Sequence, residues 1–128
     1  MVIEDISVGT DLVEVSRISK LIKKFGQKFF DRILSKDEIE YCKKSSLVAM
    51  HFAARFSAKE AFAKAMGCKI GKPVKWKDMS ILVKESGEPY FEFSETLKTY
   101  MHDRGFRCAK LSITHTETLA QAVVILIR

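Results

Sequence analysis

The feature that most limits what this chain can become is the run from Ala49 to Gly67, AMHFAARFSAKEAFAKAMG. It holds no proline and is dense in alanine, the residue that loses least on entering a helix. Phe52, Phe56, Ala63 and Met66 recur at helical spacing and give a stripe to bury. Gly67 stands where a helix stops, because glycine takes the left-handed C′ conformation without a Cβ clash. One helix from Ala49 to Met66 is expected, and the rest of a 128-residue chain has to pack around it.

The same helix carries its charges in pairs. Arg55 and Lys59 are four residues apart, and so are Glu60 and Lys64. Neighbours at that spacing share a face, so a row of cations with one carboxylate among them is expected. Two readings stand. One is a solvated face with an ordinary Glu–Lys pair. The other is a phosphate site, with Arg and Lys on phosphate oxygens and Glu60 on Mg²⁺. Magnesium takes one or two protein carboxylates plus water and phosphate oxygens. The second reading therefore needs a further carboxylate from elsewhere in the chain.

Length and a 47% hydrophobic content predict a single soluble domain over residues 1–128. No apolar run is long enough to span a bilayer, and Met1–Asp5 lacks the basic and apolar regions of a secretion signal. Cys42, Cys68 and Cys108 are odd in number and form no CxxC pair, which fits free thiols in a reducing cytoplasm. The net charge of +6 attracts polyanions: nucleic acid, an anionic membrane, a phosphorylated cofactor or an acidic protein. Charge alone does not choose among them.

Along the chain, Ile3 to Val8 predicts a short strand and Gly9 a bend. Thr10 or Asp11 is expected to N-cap a helix whose apolar positions are Leu12, Val15, Ile18, Leu21, Ile22 and Phe25. Arg17, Lys20 and Lys24 then fall on its outer face, and Gly26 closes it. Ser35 with Glu38 has the capping-box pattern, and Leu34 with Ile39 the hydrophobic-staple spacing, so a short helix begins there. The basic loop Gly67–Pro73 could bring backbone N–H groups to a phosphate. Trp76 is expected to pack in the core.

From Met79 the period becomes two. Strands are expected around Ile81–Val83, Tyr90–Phe93, Cys108–Thr114 and Leu119–Ile127, with a helix from Ser94 to Arg104. The last strand is apolar on both faces, which suits either a central strand or an interface. The class is α+β: an antiparallel sheet packed with a long central helix and shorter helices.

Three stretches together resemble one family. Gly9-Thr10-Asp11 is similar to the Gly-x-Asp opening of phosphopantetheinyl transferases, Phe56-Ser57-Ala58-Lys59-Glu60-Ala61 to their second motif, and Ser112-Ile113-Thr114-His115 to their histidine-bearing strand end. Order, spacing and length resemble the small bacterial type. Thr10 stands where many members have an apolar residue, and Lys69 where many have a second glycine.

The resemblance implies transfer of the phosphopantetheine arm of coenzyme A to a serine of an apo acyl carrier protein. It implies Asp11 and Glu60 as Mg²⁺ ligands, Lys64 on the diphosphate, and His115 at the coenzyme site. These four are the expected catalytic set. Arg55, Lys59, Lys64, Gly67 and His115 are the expected coenzyme contacts, including the 3′-phosphate. A homotrimer with sites between subunits is implied, as is docking of an acidic carrier on Arg17, Lys20 and Lys24. The rival is a basic nucleic-acid-binding domain without catalysis. It does not require Asp11 or Glu60, and the chain has no RNP-like or zinc-finger pattern.

Overall fold

The computed structural model describes residues 5–128. They form β1 (Ile6–Glu14), α1 (Val15–Phe25), α2 (Gln27–Ile33), α3 (Lys36–Lys43) and α4 (Val48–Met66). A 3₁₀ turn (Trp76–Asp78) leads into β2 (Met79–Val83), β3 (Pro89–Phe93), α5 (Glu95–Asp103), β4 (Cys108–His115) and β5 (Leu119–Ile127). All pairings between named strands are antiparallel, in a three-stranded sheet of order β1-β5-β4 and a separate β2-β3 ribbon. The expected α+β class holds. Among the described residues no helix is long and apolar enough to cross a membrane.

β5 is the central strand. It pairs with β1 from Ile6↔Ile127 to Glu14↔Leu119 and with β4 from Cys108↔Ile127 to His115↔Ala120. Its alternate residues Ala120, Ala122, Val124 and Leu126 are buried beneath α4. The other face is left open: Val123 is 37% exposed, and Val8 and Leu12 of β1, on the same face, are 55% and 58% exposed. The two-faced apolar character of β5 therefore has two sources, a core on one side and an uncovered sheet face on the other.

α4 lies close on the sheet because its inner face is small. Ala58, Ala61 and Ala65 are buried there beside Phe62. Gly9 completes the approach: a Cβ at that position would sit 1.9 Å from the Ala61 carbonyl oxygen and 2.6 Å from the Ala65 nitrogen. Phe62 packs against Phe91 and Phe93 of the ribbon, with ring centroids 5.4 and 5.1 Å away. Trp76 packs on Phe56 at 5.0 Å, as expected of a core aromatic.

The long helix ends as predicted, with Gly67 left-handed at φ 75°. The Ser35–Glu38 capping box is present, and both of its hydrogen bonds form. Several expectations fail near the N-terminus, the bend at Gly9 among them, since Gly9 lies inside β1 and pairs with Val124. Of the strand placed at Ile3 to Val8, Ile3 and Glu4 lie outside the described residues, and the strand itself runs on to Glu14. Thr10 and Asp11 are thus strand residues and cap nothing. Pairing with β5 satisfies their backbone, and α1 starts only at Val15, whose N–H donates to the Thr118 carbonyl at 2.9 Å. Leu12, expected in a helical core stripe, instead faces out of the sheet, and Phe25 is 49% exposed. The short helix α2 directly after Gly26 was not foreseen.

Candidate active site

The contact at Gly9 determines what lies two residues further along β1. Gly9 and Asp11 point to the same side of the strand, so the close approach of β1 to α4 delivers the Asp11 carboxylate to the helix. The Lys64 ammonium donates to Asp11 Oδ1 at 3.0 Å and to the Thr10 carbonyl at 3.1 Å. Glu60 lies one turn before Lys64 on the same face of α4 and is half-buried. Burial raises its carboxyl above the ordinary range, and the Asp11 charge raises it further; Lys64 and then Arg17 partly offset this. Asp11 from β1, Arg17 from α1, and Glu60 with Lys64 from α4 therefore form one electrostatic group.

Two carboxylates held together in this way repel, and a divalent cation relieves that repulsion. The donors are oxygens only, which suits a hard ion such as Mg²⁺. Among the described residues no group of three or more His, Cys, Asp or Glu gathers at one point. A pair of carboxylates with no further acidic or thiolate donor is the kind of set that magnesium takes together with water and phosphate oxygens, so the residues present fit the ion.

The expected row of cations along α4 is split, and this corrects the placing of Arg55 and Lys59 on one open face with Glu60 and Lys64. Lys59 is fully buried, and its ammonium donates to Glu38 Oε1 and to the Ile33 carbonyl, each at 2.7 Å. Arg55 is 3% exposed, with Nη1 donating to the His51 carbonyl at 3.2 Å and the guanidinium stacked on Tyr41 at 4.4 Å. Lys64 alone of the three stays open to solvent. The spacing argument failed because consecutive positions such as Lys59 and Glu60 are about 100° apart around a helix. The residues form two ionic rows on two faces.

His115 ends β4 and is exposed. In its own chain it faces the start of α4, sharing a groove with Leu47, Val48, Ala49 and Met50. His51 lies near enough that the charge of His115, after burial and Arg55, lowers its proton affinity. Nine residues of helix separate His51 from Glu60, about 13–14 Å of rise. The structure thus groups Asp11, Glu60 and Lys64, and leaves His115 by the other end of α4. Gly67 caps α4 next to Lys64, and its N–H donates to the Lys64 carbonyl at 3.0 Å. Arg17, Lys20 and Lys24 are exposed along α1, as expected.

The family model described as 4′-phosphopantetheinyl transferase superfamily matches residues 7–124. A holo-[acyl-carrier-protein] synthase of Nitrosospira multiformis is 43% identical over 119 residues, covering 93% of this chain and 95% of that protein. One from Chlamydia caviae is 43% identical, covering 92% and 93%. Among solved structures, the Neisseria meningitidis holo-[acyl-carrier-protein] synthase superposes with a TM-score of 0.90 at 34% identity, over 95% of this chain and 98% of that one. The Helicobacter pylori synthase in complex with coenzyme A gives 0.83 at 33% identity, over 93% and 98%.

The chain belongs to the 4′-phosphopantetheinyl transferase superfamily. Within it, the chain is an enzyme of the holo-[acyl-carrier-protein] synthase type.

Proposed function

We propose that the protein moves the 4′-phosphopantetheine arm of coenzyme A to a serine hydroxyl of an apo acyl carrier protein and releases adenosine 3′,5′-bisphosphate. The observation that carries this reading is the meeting of Asp11, Glu60 and Lys64 across β1 and α4, on a chain whose relatives bear that activity in their names. Transfer, rather than nucleic-acid binding, is what the family and the coenzyme-bound neighbours support.

In this reaction the serine oxygen attacks the phosphorus that carries the pantetheine arm, and the hydroxyl proton is released to solvent. The bond to the bridging oxygen of the diphosphate breaks, and charge grows on the leaving phosphate. Asp11 and Glu60, from two separate elements, would hold a Mg²⁺ ion, which would supply neutralisation of that charge. Lys64 stands beside them with a partly exposed ammonium, 3.0 Å from Asp11, where it can turn to a diphosphate oxygen. Arg17 adds positive potential on the α1 side.

Within one chain His115 lies by the start of α4, near His51. A homotrimer in which the His115 region of one subunit meets the Asp11–Glu60 pair of another would bring the two together. The uncovered apolar sheet face around Val8, Leu12 and Val123 supports such an assembly, since patches of this kind mark interaction surfaces. The carrier protein docks along α1, where Arg17, Lys20 and Lys24 face an acidic partner. A groove lined by Leu21, Phe25, Phe29, Lys28 and Arg32 lies beside them for apolar contact. The setting is the cytoplasm, with the thiols of Cys42, Cys68 and Cys108 free.

The test is incubation with coenzyme A, Mg²⁺ and an apo carrier protein, followed by mass measurement of the carrier. A gain equal to one phosphopantetheine arm, absent with Asp11→Asn, supports the reading. An unmodified carrier together with a nucleic-acid gel shift points to the rival.

A further inference from the structure

α4 carries a second ionic row, turned away from Asp11. At its centre is Glu38, fully buried on α3. Glu38 Oε1 accepts from the Lys59 ammonium at 2.7 Å and from the Ser35 N–H at 3.0 Å. Glu38 Oε2 accepts from the Ile81 N–H of β2 at 3.1 Å, with Arg55 Nε 3.9 Å away. Lys59 also donates to the Ile33 carbonyl at the end of α2. The Glu38–Lys59 pair thus ties α2, α3, α4 and β2 together at a single point.

A buried ion pair is a poor way to gain stability, because apolar side chains of the same shape do as well or better. What it does supply is direction. In the rotation that α4 adopts here, the Lys59 ammonium meets both acceptors at 2.7 Å with no exposure to solvent. Glu60 follows Lys59 directly, about 100° around the helix, so fixing one fixes the other. The sensitivity is high. A side-chain tip lies about 5–6 Å from the axis, so a turn of about 20° displaces it by about 2 Å. That equals a whole Mg–oxygen bond length of about 2.0–2.1 Å. Site groups have to be held to about 0.5 Å.

We propose that Glu38, acting through Lys59, is a positioning residue that sets the rotation of α4 so that Glu60 and Lys64 face Asp11. The inference rests on reading Asp11 and Glu60 as the divalent-cation pair.

The test uses Mn²⁺ as the probe. Its binding to the full-length chain is followed by loss of the free-ion electron paramagnetic resonance signal. Wild type, Asp11→Asn and the double variant Glu38→Gln/Lys59→Met are compared, with urea unfolding of each. The double variant removes both charges together, since removing one leaves the other buried and unpaired. The expected result is cooperative unfolding of the double variant with Mn²⁺ affinity lowered about tenfold or more, and an unchanged KM for the carrier protein. Wild-type Mn²⁺ affinity in a folded double variant overturns the proposal. Equal Mn²⁺ binding by wild type and Asp11→Asn shows instead that the cation pair itself is misread, and the positioning role falls with it. If the double variant does not fold, Glu38→Gln serves the same comparison. Failure of both to fold assigns the cluster to the fold as a whole and overturns the positioning role.

Discussion

Gly9 and Ala61 meet backbone to backbone: any Cβ on Gly9 would lie 1.9 Å from the Ala61 carbonyl oxygen. This contact couples the fold to the chemistry, because Asp11 reaches α4 only if β1 does. Gly9→Ala is predicted to push the strand off the helix. Overpacking of this kind costs about 1–3 kcal/mol, read as a lower urea midpoint with an unchanged slope. Divalent-cation binding is expected to weaken in the same variant. A Gly9→Ala protein with wild-type stability and cation affinity contradicts the coupling.

Glu60→Gln is predicted to separate activity from stability. The native environment raises the Glu60 carboxyl, through burial first and the Asp11 charge second. A group raised in the folded state contributes stability below its unfolded pKa, and that contribution is lost as pH rises through the folded value. At neutral pH without a divalent cation, ionised Glu60 is therefore a net cost to the fold. The amide removes that cost. Thermal unfolding at pH 7 in chelator should show Glu60→Gln melting no lower than wild type, while turnover falls at least about 100-fold.

Cys42 offers an independent pH probe. Burial, ahead of the opposing charge of Arg55, pushes its thiol up to about 11 from an ordinary 9.0. The folded state keeps the proton longer than the unfolded chain, so stability present below pH 9 declines between about pH 9 and 11. Two pH units correspond to roughly 2–3 kcal/mol. Cys42→Ala is less stable at pH 7 because it leaves a cavity, but the gap to wild type should narrow across that window. A constant gap contradicts the raised thiol.

The docking face is tested with Lys20→Glu/Lys24→Glu, which leaves Arg17 alone because its charge also reaches Glu60. KM for an acidic carrier protein should rise roughly tenfold at low salt and converge with wild type as salt increases. KM for coenzyme A should not move.

Most of the fold could be read from periodicity and punctuation. α4, its stop at Gly67, the Ser35–Glu38 capping box and the strands β4 and β5 all rest on local signals that the tertiary structure respects. The boundary between β1 and α1 could not, because Leu12, Val13 and Val15 satisfy either period and only the pairing with β5 decides. The Asp11–Glu60 convergence was reachable through the family motifs, whereas its cause, the Gly9–Ala61 contact, has no signature in one dimension. Arg55 and Lys59 were misplaced for a similar reason. Their partner Glu38 had already been explained as a capping residue, and nothing local says that a capping carboxylate will also bind a buried lysine.

On the proposed function, Asp11 and Glu60 would grip one divalent ion against the coenzyme diphosphate. The most direct measurement is anomalous diffraction from crystals grown with Mn²⁺ and coenzyme A. The expected result is a manganese peak touching a carboxylate oxygen of each residue and an oxygen of the diphosphate, with Lys64 alongside. A coenzyme bound with its diphosphate away from both carboxylates, or a manganese peak elsewhere, contradicts it.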